Sequence, residues 1–294
     1  MQRTLPLPKK RTMIIAFLPP LLIFAFVFIF PLIFSLRYSF TDWKGGLSTQ
    51  FIGFDNYKEL LFDSNFWNSL KNTVTVTVLV VIGQVGLGFI IAVFLVNKYV
   101  AWRNVHRTLI FLPVVLSPVV VGLIWTIVYN KRNGFLNLFL SNLGIQNIPL
   151  WLSDPSIVLY SVSIPIIWQF IGLYMIMFLG SLENIPKSIL ESADIDGAST
   201  YQRSIKIMLP MIYPTFKVAM MLCISGTLKI FDQIFVLTGG GPGQSSMTMS
   251  LYNYRVSFDM MRFSYGSALS IAMIIITLLI TGFSLRVLGG KRYE

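Results

Sequence analysis

Few residues of this chain could do chemistry. One cysteine, Cys223, and one histidine, His106, cannot build a multidentate metal site between them, and a single thiol closes no internal disulfide. Cys223 sits in an apolar stretch, the setting of a small core residue, and His106 lies in a short basic loop. What remains is a set of binding groups inside apolar runs: Gln84, Trp168, Gln169, Tyr174 and Ser225, with Lys229 and Asp232 as ionisable members. Amides and carboxylates hydrogen-bond the hydroxyls of a polar solute, and aromatic rings cover its C–H faces. Trp168 beside Gln169 fits that chemistry, although a tryptophan near a helix end also serves as a membrane-interface anchor. Lys229 and Asp232 are three residues apart, so a continuous helix would put them on one face, able to pair. An ionisable group in hydrocarbon costs about 2.5–3.5 kcal/mol on insertion scales, which makes such groups face a cavity or a partner. Paired acids, histidine clusters and a Ser/Lys dyad are all missing from this inventory, so an intramembrane enzyme is disfavoured.

The composition explains why these groups are so isolated. Of 294 residues, 55% are hydrophobic and 12% charged, against about 25% charged in a typical soluble domain. Too few polar groups remain to cover a water-facing surface. Disorder, coiled coils and disulfide-rich secreted modules are excluded, and an all-α integral membrane protein is expected. The net charge of +11 is not a nucleic-acid signature, because the basic residues cluster at the ends of apolar runs.

About 20 apolar residues span a bilayer as a helix. Uncharged stretches bounded by charges predict helices at about 13–36, 73–97, 108–130, 157–181 and 264–286, with a sixth at about 212–237 that carries Lys217, Lys229 and Asp232. The first run follows Lys9, Lys10 and Arg11 but is too long for a signal peptide, with no small-residue cleavage site before Arg37, and is expected to be retained. Basic residues are richer on the side that holds Arg3, Lys9, Lys10 and Arg11, the loop at Lys98, Arg103 and Arg107, the 183–210 loop, and Arg286, Lys291 and Arg292. The positive-inside rule places that side, with both termini, in the cytoplasm of a multi-pass cell-membrane protein. Pro19, Pro20, Pro31, Pro113, Pro118 and Pro165 fall within predicted helices, which a bundle tolerates by satisfying the freed carbonyls from neighbouring helices. The chain is expected to form one transmembrane domain over 1–294.

Residues 183–210 form the only long cytoplasmic loop. Asn184 is a candidate cap for a short helix whose first turn tolerates Pro186. Ile185, Ile189 and Ala193 recur on one face, with Glu191 and Asp194 pointing elsewhere. Gly197 can end the helix in a left-handed conformation, and Ser199 with Gln202 has the capping-box spacing for a second helix. Pro210 marks the elbow into the fifth span. The acids Glu183, Glu191, Asp194 and Asp196 make this hairpin a poor anchor for anionic lipid and a better docking surface for a protein.

The spacing Glu191-Ser192-Ala193, three residues, Gly197, nine residues, Ile207-Met208-Leu209-Pro210 resembles the EAA loop of binding-protein-dependent ABC transporter permeases. Ser192 stands for an alanine, Tyr201 sits where an aromatic is common, and Ser204 stands where a phenylalanine is common. Residues 231–243, FDQIFVLTGGGPG, resemble the end of the fifth helix in carbohydrate-uptake members of the maltose, glycerol-phosphate and oligosaccharide type, and Ile52 to Tyr57 resemble the segment after their first helix. The glycine run lacks a Gly-Lys-Ser/Thr ending and a preceding strand, so it is no phosphate loop; a flexible outer loop is expected.

The resemblance implies a type I ABC importer permease with six transmembrane helices. Its implied partners are a second homologous permease, an ATPase dimer and an extracytoplasmic solute-binding protein, with a carbohydrate as substrate and lipid around the helices. ATP and Mg would be bound by the ATPase and not by this chain. Glu191, Ala193, Asp194, Gly197, Ala198, Tyr201, Ile207, Leu209 and Pro210 would couple to the ATPase, with Glu191 as the charged contact. The other reading is a stand-alone six-helix ion-coupled transporter or channel, which would need ionisable residues in several helices rather than in one.

Overall fold

A computed structural model describes residues 10–46, 48–97 and 100–289. The topological charges at Arg3, Lys9, Lys98, Lys291 and Arg292 lie outside the described residues. The described chain is helical, with an isolated bridge between Thr41 and Phe51 and no β-strand. Four helices are long and apolar enough to cross a membrane: α1 (residues 10–38, apolar over Ile15–Tyr38), α3 (Ser64–Val96), α7 (Val158–Glu183) and α13 (Phe263–Leu288). Two bent pairs bring the number to six if each is one span: α4 (Arg103–Val115) with α5 (Pro118–Val128), bent by 103°, and α9 (Thr200–Met211) with α10 (Tyr213–Thr227), bent by 79°. Shorter helices are α2 (Asp55–Phe62), α6 (Phe135–Asn142), α8 (Lys187–Ile195), α11 (Asp232–Leu237) and α12 (Met249–Tyr254).

Two of the expected spans are not continuous. The stretch expected as one helix over 108–130 breaks at Leu116–Ser117, immediately before Pro118, whose ring bars Ser117 from helical geometry (ψ 138°). The stretch expected over 212–237 breaks at Leu228–Phe231, between α10 and α11. At 15 residues α10 is about 22 Å long, short of a bilayer core of about 30 Å. In the other direction, α3 begins well before the expected residue 73, because Asp63 caps it by accepting from the Asn65 amide (2.9 Å) and Lys71 can sit on an exposed turn.

The chain divides into two compact units. The first comprises the described residues up to Phe62 and those of 253–274. Here the Ile52–Tyr57 segment folds back on the end of α1: Asn56 Nδ2 donates to the carbonyls of Ser39 and Thr41 (both 2.8 Å), and Tyr57 Oη bonds Ser39 Oγ at 2.7 Å. Trp43 stacks on Tyr38, Thr41 shares a hydrogen bond with Ser264, and Arg262 pairs with Glu59 at 2.6 Å.

The second unit comprises the described residues of 63–252 and 275–289 and holds the broken helices. Its centre is α7, packed against α3 and α4. Pro165 within α7 has no N–H for the Ser161 carbonyl, and Tyr129 Oη donates to that oxygen instead, at 2.8 Å. Gly172 lets α7 approach α4 until only a hydrogen fits: a Cβ there would collide with the Ile110 carbonyl oxygen and stand 2.7 Å from Phe111 Cα. The glycine-rich segment is clasped rather than loose. Asn68 and Asn72 donate to the Gln244 carbonyl (3.1 Å each), Asn72 also to that of Met247, and Ser246 Oγ to that of Gly241 at 2.6 Å. The expected flexible loop is corrected accordingly.

Gly172→Ala should destabilise the protein by about 1–3 kcal/mol, since backbone rather than a movable side chain blocks the new methyl. A thermal melt of the purified protein in detergent would show it; an unshifted transition would mean that α4 and α7 can part freely.

Candidate functional site

Two constellations in the second unit bring the candidate residues together. The first is the 183–210 hairpin. α8 ends as expected at Gly197, in the left-handed region (φ 73°), with the Ala198 amide bonded to the Ala193 carbonyl (3.0 Å) and that of Gly197 to Asp194 (3.2 Å). The capping box is present: Ser199 Oγ accepts from the Gln202 amide, and Gln202 Oε1 from the Ser199 amide at 2.8 Å. Ile185, Ala193, Ser204 and Met208 are buried, while Glu191, Asp194, Ile195 and Tyr201 face outward, with Ile195 86% and Tyr201 74% exposed. Ile207, Leu209, Pro210 and Ala198 are half-buried.

Several expectations for this hairpin are corrected. Asn184 does not cap α8; it ends α7, its Nδ2 donating to the Gly180 carbonyl (2.9 Å), and α8 starts after Pro186 with no side-chain cap. Ile189 is 38% exposed, so the inward face rests on Ile185 and Ala193. The elbow falls at Ile212 rather than Pro210, because a π-helical turn over Arg203–Met208 carries α9 through the proline. Both carboxylate oxygens of Asp194 accept from Arg203 Nη1 (2.8 and 3.0 Å), which ties α8 to α9. Glu191, by contrast, is exposed and has no ion pair among the described residues. At the root of the hairpin, Arg103 (3.1 Å) and Arg107 from α4 both hold Glu183. A carboxylate at the C-terminal end of α7 opposes the helix dipole, and the two guanidinium groups compensate it.

The second constellation is a cavity of about 420 Å³ between α3, α7, α10 and the break before α11. Gln84, Tyr174, Lys229 and Asp232 line it with Phe170 and Phe231, whereas Trp168, Gln169 and Ser225 do not. Trp168 packs edge-on against Trp125 (6.0 Å), and Ser225 Oγ turns back to the Leu222 carbonyl. Lys229 and Asp232 do not share a helical face and form no ion pair: α10 ends at Thr227 and α11 starts at Asp232, so the break separates them and each side chain is exposed at the cavity.

Gln169 stands behind the wall and ties the two helix breaks together. It is fully buried, and its Nε2 donates to the Leu116 carbonyl (2.7 Å), which the α4–α5 break leaves without a helical partner. Its Oε1 accepts from Gln233 Nε2, at the α10–α11 break, at 2.6 Å. Gln84 similarly donates to the Ile166 carbonyl (2.7 Å) and accepts from Cys223 Sγ (3.3 Å). Sequence reading missed Gln233, although a carboxamide in an apolar run is the signal that marked Gln84 and Gln169. It also missed the Arg103–Glu183–Arg107 cluster, whose members are some 80 residues apart.

Comparison with known proteins adds to this geometry. The family described as "binding-protein-dependent transport system inner membrane component" matches residues 84–289. A probable ABC transporter permease protein of Pyrococcus horikoshii is 37% identical over 91% of this chain and 92% of its own length. A probable starch degradation products transport system permease protein, AmyD of Thermoanaerobacterium thermosulfurigenes, is 32% identical over 90% of this chain and 89% of its own. The multiple sugar-binding transport system permease protein MsmF of Streptococcus mutans is 31% identical over 94% and 93%. A chain in the crystal structure of a bacterial ABC transporter involved in import of the acidic polysaccharide alginate superposes with a TM-score of 0.81 at 25% identity, covering 94% of both chains. A second crystal structure of such a transporter, in complex with an alginate pentasaccharide-bound periplasmic protein, gives 0.81 at 26%, covering 93% of both.

Gln169→Leu should leave the Leu116 carbonyl and Gln233 Nε2 buried without partners, at about 1–3 kcal/mol each. Its melting temperature should drop well below that of Trp168→Leu, whose ring is partly exposed. Equal transitions for the two variants would mean that the amide relay is not structural.

Proposed function

The chain belongs to the family of binding-protein-dependent transport system inner membrane components, and from that premise we propose how it works as the membrane-spanning subunit of an ATP-driven carbohydrate importer. It is a transport subunit and not an enzyme. The 183–210 hairpin receives work from an ATPase dimer, and the cavity beneath the α10–α11 break lies on the path of the sugar. A second homologous permease completes that path, and a solute-binding protein delivers the sugar from outside. Both termini lie in the cytoplasm.

One observation carries the coupling reading. Glu191, Ile195 and Tyr201 are presented to water on a scaffold in which every other device (Gly197, the Ser199–Gln202 box, Asp194–Arg203) serves rigidity. Two large apolar groups and an exposed carboxylate on a stiff support are the makings of a protein-docking face. The hairpin continues directly into α7 on one side and through the 79° elbow into α10 on the other. A push on it therefore reaches both the helix that carries Gln169 and the helix that ends at the cavity. Asp194 keeps its place in the hairpin as an internal tie rather than as a contact. The carbohydrate reading is supported by relatives named for starch degradation products and multiple sugars, and by a cavity that offers amide, carboxylate, ammonium and aromatic groups together.

Glu191→Lys should lower sugar uptake by whole cells at least tenfold, within the roughly 2–5 kcal/mol that one unpaired interfacial charge costs, while the solute-binding protein still binds its sugar. Gly197→Asp, which places a side chain at φ 73°, should act the same way, and either variant should lose its ATPase on affinity purification. Normal uptake with the ATPase retained in both would remove the hairpin from the coupling path.

A further inference from the structure

The short helix α2 in the first unit has three unlike flanks. Asn56 and Leu60, four residues apart, are buried. Asp55 and Glu59, also four apart, share a second flank and are exposed. Phe54 and Leu61 stand two turns apart on a third flank, both exposed, and the Phe54 carbonyl accepts the first bond of the helix from the Lys58 amide (2.9 Å). Phe62 follows Leu61 and is 88% exposed, and Phe51, bridged to Thr41, is 79% exposed. Lys58 leans to the acidic flank, with Nζ 3.0 Å from Asp55. Four large apolar groups thus stand open beside a helix whose other open flank is acidic. A patch of that size on the outside of a protein marks a surface that something covers.

Hydrogen bonds fix the height of this helix. The apolar run of α1 ends at Tyr38 and that of α13 starts at Phe263, and Thr41 bonds Ser264 at 2.9 Å, so the two reach the membrane surface side by side. α2 hangs from both. Near its start, Asn56 and Tyr57 bond Ser39 (2.8 and 2.7 Å), and beyond its middle Glu59 pairs with Arg262, next to Phe263 (2.6 Å). The helix is only about 12 Å long, so these ties hold it at the level where α1 and α13 emerge. Rings gather at the same level, Tyr38 stacked on Trp43 and Phe40 against Phe54 and Tyr57, as in the aromatic belt of a membrane interface. We propose that α2 lies in the headgroup–acyl boundary of the leaflet where α1 ends, with Phe51, Phe54, Leu61 and Phe62 covered by lipid. On the topology proposed above, that leaflet is the outer one. The apolar flank of such a helix sinks about 5–10 Å into the boundary while its charges stay in water. A soluble protein arriving from the water would meet Asp55 and Glu59 first, so the apolar flank suits lipid rather than the solute-binding protein.

The test uses the complete importer in nanodiscs of phosphatidylethanolamine and phosphatidylglycerol, which present both faces, so the result does not depend on which leaflet is involved. Phe51→Cys, Leu61→Cys, Phe62→Cys and Asp55→Cys each receive a nitroxide label; Cys223 is buried, and the unsubstituted importer serves as its control. The readout is collision of the label with oxygen, which concentrates in lipid, against collision with a water-soluble nickel chelate. Labels at positions 51, 61 and 62 should favour oxygen, and the label at 55 should favour nickel. Adding the solute-binding protein should leave all four ratios unchanged. Nickel preference at 61 and 62 overturns the proposal, as does oxygen preference at 55, which would mean a helix sunk on every side. Loss of both kinds of collision at 61 and 62 only after the binding protein is added makes the patch a protein-docking site instead. Loss of both from the outset makes it a contact with the second permease. Each of those two results overturns the lipid assignment. If Leu61→Cys fails to assemble, positions 51 and 62 decide in the same way.

Discussion

Inside hydrocarbon every backbone carbonyl needs a donor, and this protein breaks two of its expected spans and supplies donors to the freed carbonyls from its own side chains. The second unit is arranged around that demand. Gln169 serves the Leu116 carbonyl at one break, and Thr248 Oγ1 reaches the Ile230 carbonyl at the other. Tyr129 serves Ser161, which Pro165 deprives of its helical partner. Each of these donors comes from a different element, so a broken helix is stable only while its neighbours are in place. Irregular backbone next to a cavity thus becomes a reason for the bundle to be a bundle.

The same demand links the two constellations. The hairpin gains its stiffness from local devices, namely a left-handed glycine, a capping box and the Asp194–Arg203 ion pair. The cavity gains its shape from long-range ones. Where the two meet, α7 carries both Gln169 and Glu183, and Glu183 is gripped by two arginines of α4. The clamp lies partly exposed to water, so its worth is in fixing direction more than in stability.

What the sequence made legible divides along the same line between local and distant. Gly197, the Ser199–Gln202 box and the EAA-type spacing are short-range patterns with one sensible geometry each, and the structure has those geometries. The long apolar spans follow from length and composition, and four of them appear as unbroken helices. Pro118 marks the break at Leu116–Ser117, which hydropathy runs through, and the break at Leu228–Phe231 was not legible. Hydropathy is blind to a missing backbone bond, and the second break contains no proline or glycine to announce it. The pairing of Lys229 with Asp232 failed for the same reason, since it assumed an unbroken helix between them. Asn184 met every compositional rule for a cap but was already committed to the end of α7. Gln233 went unnoticed because its importance depends on Gln169, 64 residues away.

Gly172 sets a limit on how these parts can travel. With α7 seated against the backbone of α4 at Ile110 and Phe111, the two surfaces interlock like a notch and a ridge. Lengthwise slippage would drive bulkier side chains on either flank into that notch. Such a joint resists sliding, and with Glu183 gripped farther along the pair behaves as one strut.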